Sequence, residues 1–207
     1  MKKFISIKND KDLNKFYKKL FLYRSFLFSP FKFETDYDDI IPVINALNIK
    51  NKYERIDYIY KYSLDYLDSY YKKLNPNICS FCNNKCIVER INNYNHTNGC
   101  CRACIYQSTS GCKTRNLTCK LFYCTRVREK YKTYNYDNFY IIKCLDLRRQ
   151  FILKEDYFTN EDDAILDLKI GLLFFVTFKI VIRDIINFIR LYKKKKNNAW
   201  KEKLYEW

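Results

Sequence analysis

The 207-residue chain carries 39 Lys and Arg against 23 Asp and Glu, a formal net charge of +16, and is 48% hydrophobic and 18% aromatic. That apolar content excludes a wholly disordered chain, and the length suits one domain or two small ones. Three Gly and three Pro leave little material for the closely spaced turns of an all-β sandwich or barrel, so the composition predicts a mainly helical protein.

From the N-terminus, Met1 to Asp10 holds three Lys but no apolar run and no small-residue cleavage site. It predicts no secretory leader and a cytoplasmic protein, whose thiols stay reduced. Leu13, Phe16, Tyr17, Leu20 and Phe21 recur at helical spacing within 10–28, and Ser29-Pro30 closes that segment. After acidic residues Glu34 to Asp39 and a short apolar piece around Pro42, a longer helix is expected over 53–74. It carries Ile56, Tyr60, Leu64, Leu67, Tyr71 and Leu74 on one face and stops at Asn75-Pro76-Asn77. From Cys79 to about Lys132 regular periodicity is lost. A helix returns over 138–150, and Thr159-Asn160 followed by Glu161, Asp162 and Asp163 starts another, with acids where the helix dipole favours them.

That last helix is expected to run to about Lys195, with Lys169, Lys179, Arg183, Asp184, Asn187, Arg190 and Lys194 on one polar arc. Its apolar face is expected to pack on the 53–74 helix; the alternative is an interfacial helix on anionic lipid. Its longest uncharged stretch, Ile170 to Phe178, is nine residues, short of the roughly 20 that cross a bilayer, so no transmembrane segment is expected. Lys193 to Lys196 reads as a solvated helix end. The expected organisation is N-terminal helices over 1–75, a cysteine-rich module over 76–132, and C-terminal helices over 133–207 that pack on the N-terminal part.

Nine of the ten cysteines fall between Cys79 and Cys124: Cys79, Cys82, Cys86, Cys100, Cys101, Cys104, Cys112, Cys119 and Cys124, with Cys144 apart on the following helix. Two CxxC pairs, Cys79/Cys82 and Cys101/Cys104, are separated by 18 residues, the spacing of a paired-knuckle tetrathiolate zinc site. Two residues between ligands let one turn aim both sulfurs at a metal about 2.3 Å away, and two such turns complete a tetrahedron. The remaining Cys86, Cys100, Cys112, Cys119 and Cys124 suffice for a second centre, with His96 as a substitute ligand. Adjacent Cys100 and Cys101 suit different centres, or one of them is free. No Gly follows either pair, and Cys86 extends the first to C-x2-C-x3-C, a thiolate run that also suits iron or an iron–sulfur cluster. The alternative is a set of scattered reduced cysteines. As the lone histidine, in a polar Asn/Tyr/Thr loop, His96 reads first as a solvated side chain, then as a ligand, and last as a catalytic base. The sequons at Asn95 and Asn116 would matter only in a secreted protein.

The order Cys100-Cys101, then Gly111-Cys112, then Arg115-Asn116-Leu117-Thr118-Cys119-Lys120-Leu121-Phe122 resembles the bacterial family of zinc- or iron-chelating cysteine-rich domains. There a Cys-Cys segment precedes a Gly-Cys and an Arg-Pro-x-x-Cys-Arg-x-Phe element. The resemblance covers 79–124 and implies metal chelation, with Cys101, Cys104, Cys112 and Cys119 as ligands and Arg115 as the family's Arg. It departs at Asn116, where Pro is usual, in the shorter Cys112 to Cys119 interval, and in the extra Cys86 and Cys124.

The reading is therefore a cytoplasmic protein holding zinc, iron or an iron–sulfur cluster through nine cysteines. The alternatives are a basic zinc module that binds single-stranded nucleic acid, or an iron–sulfur redox enzyme. Between Cys100 and Lys132, eight Lys and Arg stand against Glu129 alone, interleaved with Tyr106, Phe122, Tyr123 and Tyr131, a composition that suits backbone attraction and base stacking. The same cations would equally balance a net-anionic thiolate centre.

Overall fold

The computed structural model describes residues 3–25, 31–74, 81–82, 85–86, 107–108, 111–112, 116–122, 128–129, 131–157 and 159–204. It is mainly helical, as the composition predicts. The expected module over 76–132 lies largely outside the described residues.

The N-terminal unit contains a parallel strand pair that the sequence reading missed. Strand β1 (Lys3–Ile7) pairs in parallel with β2 (Phe31–Thr35), from Lys3 opposite Phe31 to Ile7 opposite Thr35. Helix α1 (Asp10–Ser25) provides the crossover that parallel strands require. Its start is fixed by Asn9, whose Oδ1 accepts from the Asp12 amide at 2.9 Å. Alternation seats β2 on α1: Phe31, Phe33 and Thr35 are half-buried while Lys32 and Glu34 are exposed. Phe33 meets Phe16 edge-on at 5.6 Å, and Phe31 meets Tyr23 at 5.2 Å.

A 3-10 turn (Asp38–Ile40) leads into α2 (Ile41–Asn48), with Pro42 in its first turn and Val43, Ile44, Ala46 and Leu47 buried. The centre of the protein is α3 (Lys52–Leu74), capped by Asn51 Oδ1, which accepts from the Tyr53 and Glu54 amides at 2.8 and 3.3 Å. Ile56, Ile59, Tyr60, Ser63, Leu64, Leu67 and Tyr71 form its buried face, in agreement with the periodicity. Tyr58, Tyr62, Tyr66 and Tyr70 stack along an adjacent row at 5.9 to 6.3 Å.

The expected helix over 138–150 is two elements. A 3-10 turn (Tyr140–Cys144) buries Ile141, Ile142 and Cys144. Asp146 then caps α5 (Leu147–Glu155), its Oδ1 accepting from the Arg149 amide at 2.9 Å. The cap sets extended backbone at Leu145 and Asp146, so Cys144 lies in a turn and not on a long helix.

The helix expected from Asn160 to Lys195 is likewise broken. Asn160 caps α6 (Glu161–Ile170), as its sequence predicts, but Gly171 ends it at φ +63°, a left-handed conformation. The chain restarts as α7 (Leu173–Leu204). The expected packing on α3 holds for α6, whose Ala164, Ile165 and Leu168 are buried and whose Lys169 pairs with Asp57 of α3, but not for α7, whose apolar face turns away from the body. Lys179 pairs with Asp167 of α6, and Arg183 reaches the Tyr157 and Glu155 carbonyls, so polar side chains face the body together with buried Val176 and half-buried Ile180. Phe174 is 87% exposed, and Phe178, Val181, Ile185, Phe188 and Tyr192 face outward with it. Among the described residues no helix is long and apolar enough to cross a membrane.

Candidate functional site

Four of the nine candidate ligands fall on described residues. Cys82 ends β3 (Phe81–Cys82) and Cys86 ends β4 (Lys85–Cys86); these pair antiparallel, with Phe81 opposite Cys86 and Cys82 opposite Lys85. Cys112 ends β6 (Gly111–Cys112), opposite Gln107 of β5 (Gln107–Ser108). Cys119 is half-buried in the short helix α4 (Leu117–Leu121). Cys79, Cys100, Cys101, Cys104 and Cys124, with His96 and Arg115, lie outside the described residues. Among the described residues no three His, Cys, Asp or Glu side chains are grouped as metal ligands. Cys144 lies elsewhere, in the core: its Sγ is 3.7 Å from the Val43 carbonyl, and burial pushes its thiol up to about 12 against the pull of Arg55 and Arg24.

The described part of this segment that is built into the body is α4. Leu117, Thr118 and Leu121 are buried, the Leu117 amide donates to the Tyr60 hydroxyl at 3.1 Å, and Thr118 Oγ1 donates to the Leu153 carbonyl. Asn116 sits at its start with no exposed surface and all its hydrogen-bonding capacity directed inward. Its Oδ1 caps α4 by accepting from the Cys119 amide at 2.9 Å. Its Nδ2 donates to the Asp156 carbonyl at 2.9 Å, Thr159 Oγ1 at 2.8 Å and the Thr159 carbonyl at 3.2 Å. This one side chain ties the start of α4 to the loop between α5 and α6. It also explains the residue type: Pro at this position could neither cap α4 through a side chain nor reach two carbonyls.

Beside this seat lies Asp156, buried, with Arg183 Nη1 3.8 Å from Oδ1 and neither carboxylate oxygen receiving a hydrogen bond of ordinary geometry among the described residues. Burial, and then the charge of Asp167, push its carboxyl up to about 6 against Lys179, Thr159 and Arg183. Lys120, one of the cations counted toward a nucleic-acid surface, pairs with Asp68 of α3.

Sequence reasoning missed Asn116, Tyr60, Thr118 and Thr159. Asn116 and Thr118 were read as a sequon and as part of the element around Cys119, although an Asn three residues before the amide it caps is a helix-start signal. No family model, curated protein or solved structure matches the chain.

Proposed function

We propose that the segment from Cys79 to Cys124 binds zinc or iron through its cysteines and is organised by that metal on the seat formed by α4. The observation that carries this is the spacing: nine cysteines in one stretch, including two CxxC pairs 18 residues apart. The short antiparallel pairings that bear Cys82, Cys86 and Cys112 are in keeping with ligands presented from tight hairpins. Ordering each residue costs roughly 1–2 kcal/mol of backbone entropy, and this stretch has few periodic apolar positions with which to offset it. Structural zinc in small modules contributes on the order of 10 kcal/mol or more, the scale required. Asn116 and α4 supply a fixed point from which Cys119 joins such a centre.

Substituting Cys101→Ser or Cys104→Ser in the full chain tests the reading. Both variants are expected to lose metal and to become rapidly cleaved by protease within 79–124, whereas Cys144→Ser keeps metal and protection. Full metal content in both ligand variants would refute the assignment.

A further inference from the structure

A cavity of about 570 Å³ opens where the end of α1, the α2–α3 connection and the start of α5 meet. Six cations line it: Arg24, Lys50, Lys52, Arg55, Arg148 and Arg149. The one carboxylate in its wall, Asp146, already pairs with Arg149. Arg24 and Arg55 are half-buried and held by backbone oxygens. Arg24 Nη1 donates to the Lys143 and Leu145 carbonyls, both at 3.0 Å, and Arg55 donates to the Ile49 carbonyl at 3.0 Å from Nε and 2.7 Å from Nη2. Among the described residues neither guanidinium has an ion-pair partner; carbonyl dipoles and, for Arg24, the nearby charge of Asp146 offset two partly desolvated positive charges, and burial lowers the pKa of both. The first turns of α3 and α5 add Lys52 and Arg148 and the positive ends of two helix dipoles.

We infer that this cavity binds the phosphoryl groups of a small anionic ligand. The volume is that of a small-molecule site, and a floor of Ile56, Cys144 and Leu145 leaves room for a less polar body behind the anionic head. Guanidinium groups held in place, together with exposed Lys side chains at the rim, suit phosphate oxygens, which accept bidentate hydrogen bonds. None of the nine candidate metal ligands lines the cavity, so the inference stands apart from the metal proposal.

Titration calorimetry of the full chain with pyrophosphate, a nucleoside triphosphate and a single-stranded oligonucleotide, all at matched ionic strength, tests it. Pyrophosphate and the nucleotide are expected to bind saturably at one per chain. Lys50→Glu with Lys52→Glu, and separately Arg148→Glu, are expected to weaken binding by on the order of tenfold or more, as loss of one charge-assisted contact does. These side chains are exposed, so unchanged melting temperatures show that the fold is intact. Lys18→Glu with Lys19→Glu on α1 serves as a control for net charge. Absence of saturable binding at low salt, equal weakening by the control, or binding of the oligonucleotide alone overturns the inference.

Independently of that cavity, we propose that the outward face of α7 lies on an anionic membrane surface. Phe174, Phe178, Val181, Ile185, Phe188 and Tyr192, flanked by exposed Phe175, Ile182 and Ile189, cover an arc of about 140° at 100° per residue, broader than a coiled-coil seam. The opposite side is anchored to the body through Lys179, Arg183 and Val176, which fixes the apolar face outward. Between 185 and 196 the helix carries Arg190 and Lys193 to Lys196 and no acid. Two copies packed in parallel would bring these lysines together, whereas anionic headgroups complement them.

Flotation with phosphatidylserine/phosphatidylcholine vesicles is expected to carry the chain upward, and phosphatidylcholine alone is expected to carry far less. Phe178→Ser with Ile185→Ser, or Lys193→Glu with Lys194→Glu, should each lower partitioning on the order of tenfold. Protein that stays at the bottom, or that forms a dimer abolished by Phe178→Ser with Ile185→Ser without floating, overturns the proposal; the dimer assigns the face to a second copy.

Discussion

Removing the Asn116 side chain should unfasten α4 from the body. In Asn116→Ala the cap on the Cys119 amide is lost, a change worth about 1 kcal/mol at helix starts. The buried Asp156 and Thr159 carbonyls also lose their Nδ2 donor, at roughly 1–3 kcal/mol for each group left unsatisfied. Asp156 O keeps a longer bond from Thr159 Oγ1, at 3.2 Å, so its loss falls at the low end of that range. Destabilisation of roughly 3–5 kcal/mol follows, or a fall in melting temperature on the order of 10 °C for a chain of this size. Asn116→Asp discriminates the mechanism. It preserves size and the capping oxygen but turns a donor into an acceptor facing the Asp156 and Thr159 carbonyls, so it should be more damaging than Ala. Guanidinium unfolding of the full chain followed by circular dichroism measures both. A cost below about 1 kcal/mol for Asn116→Ala, or an Asp variant milder than the Ala variant, would refute the role given to this residue.

Further expectations concern single residues. Asp156 has a folded pKa raised above its unfolded value, so the native state binds more protons and stability falls as pH rises from about 4 through about 6. Asp156→Asn should therefore stabilise the protein at pH 7.5 by as much as roughly 3 kcal/mol and flatten that slope, which urea titrations at pH 5 and 7.5 would reveal. Cys144, neutral until strongly alkaline pH and buried, should resist iodoacetamide at pH 8 in the native protein and react only in denaturant, as mass spectrometry of the labelled peptide can show. Gly171→Ala places a Cβ in the left-handed region and 2.6 Å from Arg149 Nη2, displacing a guanidinium whose Nε holds the Leu168 carbonyl at 2.7 Å. A loss of about 2 kcal/mol is expected by thermal melting, with no loss of metal.

What could be read in the sequence follows the length of each pattern. Helix α3 repeats its apolar spacing over six turns, and Asn160 with three acids announces α6, so both were legible. The β1–β2 pair was not: five residues alternate too briefly to stand out, and the pairing partner lies across α1. Gly171 was passed over because apolar spacing continues across it, although its left-handed backbone is what separates α6 from α7. For α7 the sequence separated a polar from an apolar arc correctly and assigned the wrong one to the body. The buried ion pairs that reverse it depend on Asp167 and Asp156 of other elements, which no local pattern encodes. The cysteines were legible as a donor set, because ligand spacing is local chemistry. Their seat was not, since Asn116 acts on residues 40 or more positions away.

Metal content of the full chain purified without oxygen or chelator tests the central claim most directly. Elemental analysis with an absorption spectrum should find stoichiometric metal: either colourless protein with about two zinc ions per chain, or brown protein with iron and acid-labile sulfide. The second result would make electron transfer the role of the centre. Protein that holds no stoichiometric metal under those conditions would contradict the claim that the segment from Cys79 to Cys124 is organised by it.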